Sequence, residues 1–141
     1  MRELYTTTAR AEGGRAGHVA TSDGLLRVDL AMPTELGGPG GATNPEQLFA
    51  AGYAACFESS IRFVADMRKL PLRDAAVTST VRILAPAGGG AWKLGVTLQS
   101  ELQGLDQAAA EALVHAADQV CPYSNAVRGN VDVAHVVQAS A

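Results

Sequence analysis

The chain has 141 residues, 48% hydrophobic and 5% aromatic, with 11 basic against 14 acidic side chains and a formal net charge of −3. That length suits one domain, residues 1–141, whose core needs neither disulfide staples nor a structural metal, and the scattered basic residues exclude the clustered basic face of a nucleic-acid binder. The longest apolar run, Leu48 to Phe57, is too short to span a bilayer, and Met1-Arg2-Glu3-Leu4-Tyr5-Thr6-Thr7 reads as a strand rather than a secretory leader, so a cytoplasmic protein is expected.

Three strands are expected first, at Leu4–Ala9, His18–Thr21 and Leu26–Leu30, a meander broken by the turn signals Gly13-Gly14 and Asp23-Gly24. A flexible loop, Leu36 to Gly41, leads to a helix start at Asn44-Pro45-Glu46, with Asn as cap, Pro at the first helical position and Glu favoured by the dipole. This helix runs to about Lys69. Leu48, Gly52, Cys56, Ser60, Phe63 and Met67 share a stripe, and Ala50, Ala51, Ala54 and Ala55 make its first half apolar nearly all round, which predicts burial.

A hairpin follows, Val77–Leu84 and Trp92–Leu102, across the Gly-rich turn at 86–90. Asp106 caps a second helix with Leu105, Ala109, Leu113, Ala116 and Val120 inward and Pro122 as its stop, and Val131–Val137 forms a last strand. The order β-β-β-α-β-β-α-β, with two buried helices, is that of an α+β fold.

Cys56 and Cys121 are the only cysteines, one on the long helix and one where the second helix ends. Most free cysteines are small buried hydrophobes. In a reducing compartment, however, a pair that is not mere packing is transient and catalytic rather than structural. His18, His115 and His135 show no ligand spacing with each other or with the cysteines, so no metal and no cofactor are expected.

The segment Leu36-Gly37-Gly38-Pro39-Gly40-Gly41-Ala42-Thr43-Asn44-Pro45-Glu46, continuing through Ala54-Ala55-Cys56-Phe57, together with Cys121-Pro122-Tyr123-Ser124-Asn125, resembles the OsmC/Ohr family in its organic hydroperoxide resistance branch. The resemblance takes in the opening Leu4–Ala9 and Gly13-Gly14-Arg15, and so most of the chain. It implies a thiol peroxidase acting on alkyl and fatty-acid hydroperoxides, an intertwined homodimer, and recycling by a dithiol reductant of the lipoyl type. Matched by motif, Cys56 is the peroxidatic cysteine, Cys121 the resolving one, and Arg15 with Glu46 the pair that prepares the thiolate. Two departures from the family pattern are Glu58, close after the thiol, and His18, where a second Arg is common.

Elementary chemistry agrees with these roles. An ordinary thiol is only a few per cent thiolate at neutral pH, and the thiolate is the nucleophile. Cys56 lies about three turns into its helix, beyond the reach of the dipole, so a cation is required, and a guanidinium can fork between thiolate and carboxylate. Cys121, at a helix C-terminus, is the poorer nucleophile. Phe49, Tyr53, Phe57 and Phe63 are expected to line an apolar substrate pocket. Plainer readings stand beside these: Arg15 as a loop charge, Glu46 as a first-turn acid, Glu58 with Arg62 as a surface ion pair. A peroxide-responsive thiol switch and an apolar small-ligand binder remain as rival functions. Glu46 and Cys56 are ten residues apart, so either their helix breaks near Gly52 or Arg15 and Glu46 of one chain serve Cys56 of another.

Overall fold

A computed structural model describes residues 1–141, which form two compact units, Met1–Leu48 and Phe49–Ala141. The first holds β1 (Ala9–Glu12), β2 (His18–Thr21) and β3 (Arg27–Asp29), an antiparallel meander in which Ala9 lies opposite Thr21 and His18 opposite Asp29. The strand expected at Leu4–Ala9 is displaced. Residues 1–8 are exposed, and the ladder begins only at Ala9, because pairing with β2 and not the β-propensity of Leu4-Tyr5-Thr6-Thr7 decides where a strand exists. The loop before the long helix carries a one-turn 3₁₀ helix, Thr34–Leu36, and is tied back on itself by Gly38 N–H to Pro33 O and Gly40 N–H to Met32 O, each 3.0 Å.

Helix α1 (Pro45–Arg68) starts in this unit and continues into the next as one unbroken element through Gly52. Asn44 caps it as expected: its Oδ1 accepts from the Gln47 amide at 2.9 Å. Its buried residues are Tyr53, Phe57, Ser60, Ile61, Val64 and Ala65. The expected stripe is thereby corrected: Phe63 is 59% and Met67 60% exposed, so the helix is apolar on more sides than a single chain covers.

In the second unit β4 (Asp74–Leu84) and β5 (Lys93–Gln103) form the expected hairpin. Helix α2 (Gln107–Val120) is capped by Asp106, which accepts from the Ala109 amide at 2.8 Å; such caps are worth about 1 kcal/mol. Pro122 does not merely stop α2. It opens a further short helix, α3 (Pro122–Val127), that the sequence reading lacks. Strand β6 (Val133–Ser140) then runs parallel to β5, two residues later than expected at its start, because the Val131 amide is used by Val127 O at 2.9 Å in closing α3.

The core of this unit joins Tyr53, Phe57, Ile61 and Val64 of α1, Val96, Leu98 and Leu102 of β5, and Leu113, Ala117 and Cys121 at the end of α2. Leu98 and Leu113 are fully buried, each worth about 1.5–3 kcal/mol in transfer from water. No helix is long and apolar enough to cross a membrane.

Candidate functional site

The expected site residues fall in two clusters, one in each unit. In the second unit, Cys56 and Cys121 meet: the Cys121 thiol donates to the Cys56 sulfur at 3.5 Å. Their environments differ. Cys121 is fully buried, whereas Cys56 is partly exposed and opens into a cleft of ≈ 480 Å³ lined by Ser59, Ser60, Phe63, Val120 and Pro122.

Local backbone rules place both sulfurs. Cys121 precedes a proline, which bars it from the helical region; at φ −64° and ψ 120° it leaves α2 while its amide still bonds Ala117 O at 2.9 Å. Pro122 then takes the first position of α3, where a missing N–H costs nothing. Gly52 lets α3 approach α1: a Cβ there would stand 2.8 Å from the Tyr123 hydroxyl. The Tyr123 amide in turn reaches Cys56. Burial pushes the Cys56 thiol above its ordinary value; the Tyr123 amide offsets this in part, and Cys121 adds to the rise.

In the first unit, Arg15 lies on a one-turn 3₁₀ helix, Gly14–Ala16, whose preceding residue, Gly13, has φ 80°, a left-handed conformation that suits glycine. The guanidinium grips Glu46 with both terminal nitrogens, Nη1 to Oε2 at 2.8 Å and Nη2 to Oε1 at 2.6 Å. This bidentate pair holds the Glu46 carboxyl below the usual carboxylate range and raises Arg15. Arg15 also borders a cleft of ≈ 430 Å³ whose other walls are Leu30, Ala31, Met32, Pro39, Gly13 and Ala16, an apolar setting for a cation.

The four aromatic candidates separate. Phe63 lines the cleft beside Cys56. Tyr53 and Phe57 are wholly buried and form core, and Phe49 packs edge-on to Tyr53 with ring centroids 6.0 Å apart, so these three do not line that cleft. Val120, Pro122, Ser59 and Ser60 line it instead. Val120 was assigned inward because the helical period of α2 was extended to its last residue; it is 42% exposed. Glu58 is ion-paired to Arg62, which also reaches Asp74 at 2.9 Å, so this extra carboxylate has a cation of its own. His18 lies 3.9 Å from Glu12 on the meander. No group of three or more His, Cys, Asp or Glu side chains could hold a metal.

Comparison with known proteins agrees with the motif resemblance. Residues 38–136 match the family model described as OsmC-like protein. The chain is 50% identical over 132 residues to the organic hydroperoxide resistance protein of Xanthomonas axonopodis pv. citri, covering 92% of each. Among solved structures, an organic hydroperoxide resistance protein of Legionella pneumophila superposes with a TM-score of 0.92 at 63% identity, covering 97% of this chain and 99% of that one. OhrB of Bacillus subtilis gives 0.87 at 43% identity, covering 96% and 100%.

Proposed function

Given that the chain belongs to the OsmC-like family, and within it to the organic hydroperoxide resistance proteins, we propose that it is a thiol-dependent peroxidase that reduces organic hydroperoxides through Cys56 and Cys121. The observation that carries this reading is the pair itself: one sulfur open to a cleft, the other buried 3.5 Å behind it. The cleft's Phe63, Val120 and Pro122 suit the hydrocarbon part of an alkyl or fatty-acid hydroperoxide better than hydrogen peroxide, which has none.

The reaction runs in two steps. The Cys56 thiolate attacks the distal oxygen of ROOH; the O–O bond breaks, a proton goes to the leaving oxygen, and ROH departs, leaving Cys56 as a sulfenic acid. The Cys121 sulfur then displaces the hydroxyl from Cys56, forming the disulfide and releasing water. The sulfurs must close from 3.5 Å to the ~2.05 Å of a disulfide. The assignment of nucleophile and resolver rests on access: a peroxide meets Cys56 first.

Arg15, held by Glu46, is the cation that turns the Cys56 thiol into a thiolate. Glu46 fixes the fork of the guanidinium and offsets its desolvation in an apolar setting. A second copy of the chain brings this pair to Cys56, and the protein works as a homodimer. The exposed stripe Phe63 and Met67 on α1 supports such an assembly, since a helix apolar on both sides calls for a partner. The oxidised pair is recycled by a dithiol, of the lipoyl class, in a compartment that keeps thiols reduced: two linked thiols resolve a mixed disulfide without awaiting a second molecule. Dihydrolipoamide should support faster turnover than glutathione.

Stopped-flow oxidation of the reduced protein by cumene hydroperoxide, with thiols counted before and after, tests the reading. Rapid loss of two thiols per peroxide consumed supports it. Thiols that survive a stoichiometric dose would leave an apolar ligand binder, and a single oxidation without turnover on added dithiol would leave a switch.

A further inference from the structure

A polar chain, buried at Tyr53 and Ser124 and reaching the surface at Arg128, joins the helix of Cys56 to the corner of Cys121. The Tyr53 hydroxyl lies 2.7 Å from the Ser124 hydroxyl, both groups being shielded from solvent. The Arg128 amide donates to the Ser124 carbonyl at 3.0 Å, and the Arg128 side chain reaches the Asp118 carboxylate from Nη2 at 3.0 Å, with His135 Nε2 at 3.3 Å from the same group. Arg128 further donates to the Asp118 carbonyl at 2.7 Å. Burial pushes the Asp118 carboxyl up, but Ser124, Arg128 and His135 outweigh it and hold the group below the usual range, as an ion.

In the Tyr53–Ser124 bond either hydroxyl could donate, and removing either one breaks it. Burial raises Tyr53 above its ordinary value, against the opposing effect of the Ser124 hydrogen bond, so its hydroxyl stays protonated.

The positions matter more than the bonds singly. Tyr53 is three residues before Cys56 on α1, and Ser124 three residues after Cys121 on α3. Asp118 is three residues before Cys121 in the last turn of α2, and Arg128 is the C-cap of α3. The bonds therefore bracket Cys121 on both sides and tie its corner to the helix that carries Cys56. None of these groups is among the residues that line the cleft.

We propose that Tyr53, Ser124 and Asp118 are positioning residues for the resolving step: they hold Cys121 against Cys56 so that the sulfenic acid is captured as a disulfide before a second hydroperoxide reaches it. The inference rests on the peroxidase reading above. Cys56-SOH has two fates. Condensation with the Cys121 thiol gives the disulfide and water; attack on a second ROOH gives the sulfinic acid and ROH. The first requires closure by about 1.5 Å from the resting contact, the second only access. A loosened corner shifts the balance between them without altering the cleft.

Ser124→Ala and, separately, Tyr53→Phe should be oxidised with a tenfold excess of cumene hydroperoxide, and the Cys56 peptide quantified by mass spectrometry as disulfide or sulfinic acid. Circular dichroism establishes that each is folded, and Tyr53→Phe, which removes one oxygen, remains testable where Ser124→Ala does not fold. The sulfinic fraction should rise several-fold over wild type, while the rate of first-turnover peroxide loss changes less than twofold. A merely structural role would lower both steps together. Wild-type partition in a folded variant, or a fall in the first step matching that in the second, overturns the proposal. A wild-type protein that keeps both thiols overturns the peroxidase reading instead, and this with it.

Discussion

The Cys121 thiol donates to the Cys56 sulfur at 3.5 Å although 65 residues separate them, and Cys121 is fully buried while Cys56 is not. This asymmetry makes the two replacements unequal. Cys56→Ser should reduce hydroperoxide no faster than buffer, since the chain has no other thiol that opens to a cleft. Cys121→Ser should consume about one equivalent quickly and then stop, with added oxygen atoms on the Cys56 peptide by mass spectrometry. Equal steady-state turnover in the two variants would reverse or abolish the assigned roles.

Arg15 and Glu46 share two hydrogen bonds, at 2.8 and 2.6 Å. Because burial otherwise raises the Cys56 thiol, Arg15→Ala should move the midpoint of Cys56 alkylation upward by about one to three pH units, the range of an opposite charge in contact. Arg15→Lys should recover only part of the shift, since an ammonium makes no planar fork. An unchanged midpoint in Arg15→Ala would separate this pair from the thiol. Glu46 itself titrates below the usual range in the folded protein, held there by the Arg15 hydrogen bonds. A depressed carboxyl stabilises the fold above its unfolded value of about 4.3 and loses that contribution as pH falls through its lower folded value. The stability difference between wild type and Glu46→Gln should therefore be constant from pH 7 to 5 and vanish below about pH 4, as read by denaturant titration.

Much of this was legible from periodicity and caps. Asn44, Pro45 and Asp106 announce their helices because capping is local chemistry, satisfied within four residues. What escaped depends on distant partners. Leu4–Ala9 has strand residues but no neighbour strand until Ala9. Helix α3 hides behind Pro122, which ends one helix and begins another by the same fixed φ. Tyr53 and Phe57 are aromatics on the same helix as Phe63, and only packing decides that the first two are core and the third borders the cleft. The Cys56 and Cys121 assignment came from motif resemblance, since nothing in a separation of 65 along the chain announces a contact of 3.5 Å.

Ser100 on β5 is fully buried, and its hydroxyl has no hydrogen-bond partner. A buried donor left unpaired costs about 1–3 kcal/mol. Ser100→Ala removes that cost and little volume, so it should raise stability by about 1 kcal/mol, seen as a higher denaturant midpoint at unchanged slope. A lower midpoint would mean that the hydroxyl is satisfied in solution.

Glu46 and Cys56 lie on one helix that continues unbroken through Gly52. Along one helix, ten residues span about 15 Å on the axis and point to faces about 80° apart. In the homodimer proposed above, the Arg15 that Glu46 holds through both terminal nitrogens would serve the sulfur of the other copy. Heterodimers carrying Cys56→Ser in one chain and Arg15→Ala in the other decide the matter. Each chain is defective alone, but in a shared arrangement the intact Arg15 of the first meets the intact Cys56 of the second. Purified through two different tags, such heterodimers should recover about half the wild-type rate, one of two sites being whole. Activity no higher than that of the Arg15→Ala homodimer would place Arg15 and Cys56 of each site in the same chain.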